Sequence, residues 1–190
     1  MKTNKRTIAA KRLLTGMLAL AVFTLTSSLH AANPATISLR VTVAPALSIA
    51  VGTATYSFGY PGTNETALST GAIPVLNDSF GRTEDFQITG ANATNWSISN
   101  STNGADQFYL RALLNTTAPA QAAFDAVFST LSTTIANMSA ANYGGNQNGN
   151  NVSYNGVRNL WFMLGTPTST SFTTEQSISV TLTAADSSTF

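Results

Sequence analysis

The stretch ISLRVTVAPALSIAV, from Ile37 to Val51, limits the fold of this chain more than any other. Every branched apolar residue in it falls on an odd position: Ile37, Leu39, Val41 and Val43, then Leu47, Ile49 and Val51. A period of two is the pattern of a β-strand with one face against a core, because successive side chains point to opposite faces. A helix would scatter the same residues around its circumference. Pro45 has no N–H to give to a sheet ladder. It therefore divides the run into a first strand at about 35–44 and a second at 46–51.

Shorter pieces of the same kind follow. TYSFGY, at 55–60, puts Tyr56, Phe58 and Tyr60 on one face. Strand-like segments recur at 72–76, 84–90, 95–99, 107–114, 159–164 and 176–183. Asn, Gly, Pro and Asp separate them, and these residues favour turns. Short strands between turn signals predict an all-β, immunoglobulin-like β-sandwich. One segment departs from the pattern. Phe124, Val127, Phe128, Leu131 and Ile135 recur at three and four, which predicts a short helix over 119–135 with Thr117 as its cap. A pair of Thr-rich edge strands is the alternative there. The run GGNQNGNNVSYNG, at 144–156, reads as an exposed loop.

The beginning of the chain bears on its compartment. Lys2, Lys5, Arg6, Lys11 and Arg12 precede an apolar run from Leu13 to Leu25, and small residues lead to Ala31 and Ala32. That order is the pattern of a secretory signal peptide, and the run is too short for a span of about 20 residues. The expected organisation is a signal peptide at 1–32, cut after Ala31 or Ala32, and a single β-sandwich domain at 33–190. The expected location is extracellular or on the cell surface, after periplasmic transit if the host is Gram-negative. Five of the nine Lys and Arg residues lie in the signal, and all eight acids lie after it, so the remainder carries 4 − 8 = −4. An acidic chain without lysine has no basic patch for nucleic acid.

The same cut removes most catalytic chemistry. His30 is the single histidine and falls within the signal, and the chain has no cysteine. No Ser-His or Cys-His pair, Schiff-base lysine or His/Cys zinc site can then form. The chain is expected to be neither an enzyme nor the holder of a cofactor or metal. Glu84 and Asp85 are adjacent, point to opposite faces of a strand, and read as solvated surface acids. Asn100, Asn103 and Asp106 offer oxygen donors without the spacing of an EF-hand loop, and read as a polar turn. Trp96 and Trp161 sit in apolar strands and are expected in the core. Tyr143 and Tyr154 flank the Gly/Asn loop and are the candidates for contact with a ligand such as a glycan.

The first strand has two possible uses. It can pair within its own sheet, or leave to complete the sheet of a neighbouring subunit by β-augmentation. In the second case Ile37, Leu39, Val41 and Val43 fill the partner's groove. Head-to-tail repetition of that contact does not close, and so builds a filament.

The segment ATISLRVTVAPALSIAV with the later YSFGYP resembles the start of secreted spore coat protein U-like subunits and the related archaic chaperone–usher pilins. Those also begin with an alternating strand, a proline, a second strand and an aromatic-Gly stretch. QSISVTLTA, near the end, resembles their closing strand. Where they carry a cysteine after the proline, this chain has Ala46 and Leu47. The resemblance implies immunoglobulin-like subunits assembled by donor-strand exchange with a secretion chaperone, and a donor role for Ile37, Leu39, Val41 and Val43. The expected function is a non-catalytic structural subunit of a pilus, fibre or coat. The alternative is a monomeric carbohydrate-binding or adhesive module.

Overall fold

The structure is a computed structural model and describes residues 38, 40 and 46–187. The chain divides into a unit ending at Thr42 and a unit from Val43 onward, and the fold below is that of the second. Of the expected strand at 35–44 only Ser38 and Arg40 are described, both exposed; Ile37, Leu39, Val41 and Val43, and the expected signal peptide, lie outside the described residues.

The fold is all-β and built of two sheets. The strands are β1 (Ile49–Val51), β2 (Thr66–Leu68), β3 (Ile73–Asn77), β4 (Glu84–Gly90), β5 (Ser97–Ile98), β6 (Gln107–Leu114), β7 (Ala136–Asn137), β8 (Val157–Gly165) and β9 (Val180–Asp186). The larger sheet runs β1-β3-β8-β6-β5, with β2 also paired to β8; the smaller runs β7-β4-β9. β2 and β3 lie end to end along one edge of β8, Leu68 opposite Met163 and Ile73 opposite Leu160. Ser69 bridges the break: its N–H donates to Phe162 O (2.8 Å), and its Oγ accepts from Phe162 N (2.9 Å).

The long apolar runs of β6 and β8 have a direct cause. Both strands sit in the middle of the larger sheet and are covered on both faces, which gives continuous rather than alternating hydrophobicity. Phe108, Leu110, Ala112 and Leu114 of β6, with Leu160, Phe162 and Leu164 of β8, meet Phe86 and Ile88 of β4 in the main core. Leu113, Trp161 and Met163 face the other way and pack with Phe124 in a second cluster. Trp161 is buried as expected, its Nε1–H donating to Asn115 O (2.8 Å). Trp96 is half-buried against the main core.

The helix expected over 119–135 is absent. A single 3-10 turn, Gln121–Ala123, stands in its place, preceded by Ala120 without a side-chain cap bond. The three-and-four spacing arose from anchors in different places. Phe124 enters the second cluster and Leu131 the main core, while Val127, Phe128 and Ile135 are exposed. The segment instead runs along β6, where Ala112 N–H donates to Ser129 O and Leu131 N–H donates to Leu110 O, both at 2.8 Å.

Glu84 and Asp85 are also not surface acids, being 0% and 2% exposed. Glu84 Oε1 accepts from the backbone N–H of Ser48 (3.0 Å) and from Ser79 Oγ, tying the start of β1 to the start of β4. Asp85 Oδ1 accepts from Asn151 N (2.5 Å). These donors stand in for water at Glu84 Oε1 and Asp85 Oδ1, while Glu84 Oε2 is buried without a hydrogen-bond partner among the described residues.

Candidate functional site

The registers give the sandwich two poles. At one lie the pairs Ile49–Asn77, Leu76–Val157 and Glu84–Asp186; at the other lie Gly90–Val180 and Thr66–Gly165. Ser48, the residue before β1, is held at the first pole by Glu84 and by Ser79 Oγ (2.6 Å). The start of β1 is therefore fixed at that pole.

A cleft of about 870 Å³ opens between the sheets on the side of β1 and β9, and reaches from the middle of the sandwich to the second pole. Its floor is the main core itself: Leu110 of β6 with Leu160, Phe162 and Leu164 of β8. Val51 and Ile73 line one side; Ile178, Val180 and Leu182 line the other. Among the described residues of the lining, Glu175 is the single charged one.

Both walls include chain that looks like strand and is not laddered. In TYSFGY the expected alternation holds for Tyr56 and Phe58, half-buried with their rings edge to face at 5.0 Å, while Tyr60, expected on the same face, is fully exposed beyond Gly59 at φ 75°. Among the described residues, the backbone of 53–61 makes no hydrogen bond to another backbone group. The expected strand at 176–183 likewise starts its ladder at Val180. Ile178, Val180 and Leu182 face the core and are only half-buried, while Ser179, Thr181 and Thr183 are exposed. β9 pairs with β4 along one edge, and no described strand pairs with the other. Half-buried apolar side chains beside an open strand edge are the features a β-augmenting strand engages.

Of the tyrosines chosen for ligand contact, Tyr143 is misplaced. It is 5% exposed, its backbone holds a φ of 61°, and its hydroxyl donates to Thr130 O (3.1 Å). Burial pushes its phenol above the usual tyrosine range. It is a core residue that anchors the loop, since Leu114 N–H donates to its carbonyl (2.8 Å). Tyr154 is 39% exposed and meets Phe80 edge to face at 5.3 Å. These two do not approach the cleft lining. Asn103, weighed as a cation ligand, gives its amide N–H to Thr166 O (2.5 Å). Among the described residues no group of three or more His, Cys, Asp or Glu is placed to hold a metal, and no helix is long and apolar enough to cross a membrane.

No known relative identifies the chain. No family model matches it, and no curated protein or solved structure does. The cleft and the residues around it therefore carry the functional argument by themselves.

Proposed function

We propose that this protein is a secreted, non-catalytic structural subunit that assembles head to tail, each chain placing its 35–44 strand in the cleft of a neighbour. The observation that carries the reading is the apolar cleft beside the open edge of β9. Ile37, Leu39, Val41 and Val43 repeat every two residues, about 6.7 Å along a strand. Ile178, Val180 and Leu182 repeat at the same interval on the wall they would meet. Main-chain bonds to β9 then give affinity, and the apolar pairs give register.

One feature favours donation over folding back. Ser48 is anchored at one pole, while the cleft reaches the other, the arrangement a heterologous, non-closing contact needs. The likeness to spore coat protein U-like subunits and chaperone–usher pilins agrees with this reading, and a secretion chaperone that covers the cleft before assembly fits it. A monomeric glycan-binding module has less support, because Tyr143 is buried.

The test is Val41→Asp. The expected result is a protein with unchanged β-sheet circular dichroism that no longer assembles. Assembly of the variant at the wild-type concentration means that this strand is not the donor.

A further inference from the structure

The first pole carries a feature that the donor strand does not use. Ser79–Arg82 is a four-residue turn closed by Arg82 N–H to Ser79 O (3.0 Å), with Gly81 at φ 71°. Ser153–Gly156 is a second, closed by Gly156 N–H to Ser153 O (2.7 Å), with Asn155 at φ 61°. Positive φ at the third position is what a type II turn requires. Each turn therefore presents its second residue at its tip, and in both that residue is aromatic: Phe80 and Tyr154.

Asn77 clamps the two turns together. Its side-chain N–H groups donate to Arg82 O (3.0 Å) and Val152 O (2.7 Å), and its Oδ1 accepts from Ser79 N (2.8 Å). Its backbone accepts from Asn155 N (2.9 Å) and donates to Gly156 O (3.0 Å). Phe80 is 73% exposed although its partner ring covers one side. A turn tip favours Pro, Asn, Asp or Ser, so two rigidly mounted rings in water call for a partner.

The position names that partner. Ser79 Oγ bonds Ser48 N, so the rings stand at the root of the donor segment. Val43 to Ser48 is five steps of chain, at most about 17 Å when extended. A neighbour holding Val43 in its cleft is thus held close to Phe80 and Tyr154. The cleft extends to that neighbour's second pole, where its rim carries Tyr60, fully exposed, and Phe172, 39% exposed.

We infer that Phe80 and Tyr154 of one subunit pack against the Tyr60 and Phe172 rim of the next copy of this chain, forming a second contact that stiffens the joint. The inference rests on the donor-strand reading and deepens it. Aromatic residues at the centre of an interface carry much of its energy.

The chain has no cysteine, so engineered pairs report the joint without background. Full-length chain carrying Tyr60→Cys with Phe80→Cys, or Phe172→Cys with Phe80→Cys, should give, after oxidation of the assembled protein, a ladder of disulfide-linked oligomers that collapses to monomer on reduction. Phe80→Cys alone should give none. Phe80→Ala with Tyr154→Ala should still assemble through its donor strand, but its assemblies should fall apart roughly tenfold faster in denaturant. Wild-type assembly with no ladder from either pair and an unchanged dissociation rate overturns the second contact while leaving the donor strand intact. Polysaccharide retention that the double alanine variant loses, with assembly unchanged, overturns it in favour of a glycan platform. Assembly that survives Val41→Asp removes the donor reading, and this inference with it.

Discussion

If the cleft takes a neighbour's strand as proposed, replacing Ile178 by Asp should disable it without touching the donor. Ile178 lines the cleft ahead of the β9 ladder and is half-buried. In the free subunit an aspartate there stays hydrated at the rim, at a cost of about 1–2 kcal/mol in lost apolar contact. A seated donor strand would cover it. The contact then loses about 2 kcal/mol of side-chain burial and must desolvate an unpaired carboxylate, worth several kcal/mol. A total near 5 kcal/mol weakens donor binding by more than about a thousandfold. Ile178→Asp is therefore acceptor-defective, as Val41→Asp is donor-defective, and each alone should be monomeric by sedimentation velocity. Mixed, they should form one-to-one dimers and nothing larger. The intact donor of Ile178→Asp enters the intact cleft of Val41→Asp, and the remaining donor and cleft are both dead. Thr181→Asp is the parity control: Thr181 is exposed on the opposite face of β9, and this variant should assemble normally. Long polymers from the mixture, or polymers from Ile178→Asp alone, would refute the reasoning.

Other expectations concern the frame around the site. Asn77→Asp removes both amide donations and sets a buried carboxylate against Arg82 O and Val152 O; a loss of about 2–5 kcal/mol in urea unfolding is expected, and a loss under 0.5 kcal/mol contradicts the clamp. Glu84→Ala leaves the Ser48 N–H with Ser79 Oγ as its remaining partner; it should cost about 1–3 kcal/mol, measured by thermal unfolding with and without Ser79→Ala. A Cβ at Gly149 would lie 2.9 Å from Met138 O and 3.0 Å from Phe86 Cβ, so Gly149→Ala should lower stability by about 1–3 kcal/mol, read from the midpoint of denaturant unfolding. Phe124→Ala empties the second cluster and should cost about 3–5 kcal/mol, with quenching or shift of Trp161 fluorescence as the local readout.

The strands were legible where apolar residues alternate or run together between turn signals. Glu84–Gly90 and Gln107–Leu114 lie where their patterns put them. Position-by-position reading failed where a residue's environment comes from far along the chain. Glu84 is buried because Ser48 and Ser79 converge on it, and no spacing announces that. The helix at 119–135 was suggested by a period that two separate cores produced by coincidence. Tyr143 looked exposed because the loop around it is rich in Gly and Asn, yet its ring is what the loop closes over. The cleft was only half legible: TYSFGY and QSISV carry strand patterns, and the sequence cannot say that the first is left without a ladder and that the second joins one only at its end. On the proposed reading, that mismatch is the signal, since alternation left unpaired offers an edge to another strand. Phe80 and Tyr154 are turn-tip residues, and periodicity does not see them at all.

The proposed donor strand is tested most directly by where the alternating segment from Ile37 to Val43 lies in any assembly the protein forms. Cryo-electron microscopy of the native assemblies shows this directly. The expected density is a continuous strand leaving one subunit at Ser48 and running beside β9 of the next, with its odd-numbered side chains over Phe162 and Leu164. Density that turns back at Pro45 into the subunit's own cleft, or a preparation holding only dispersed monomers, would contradict it.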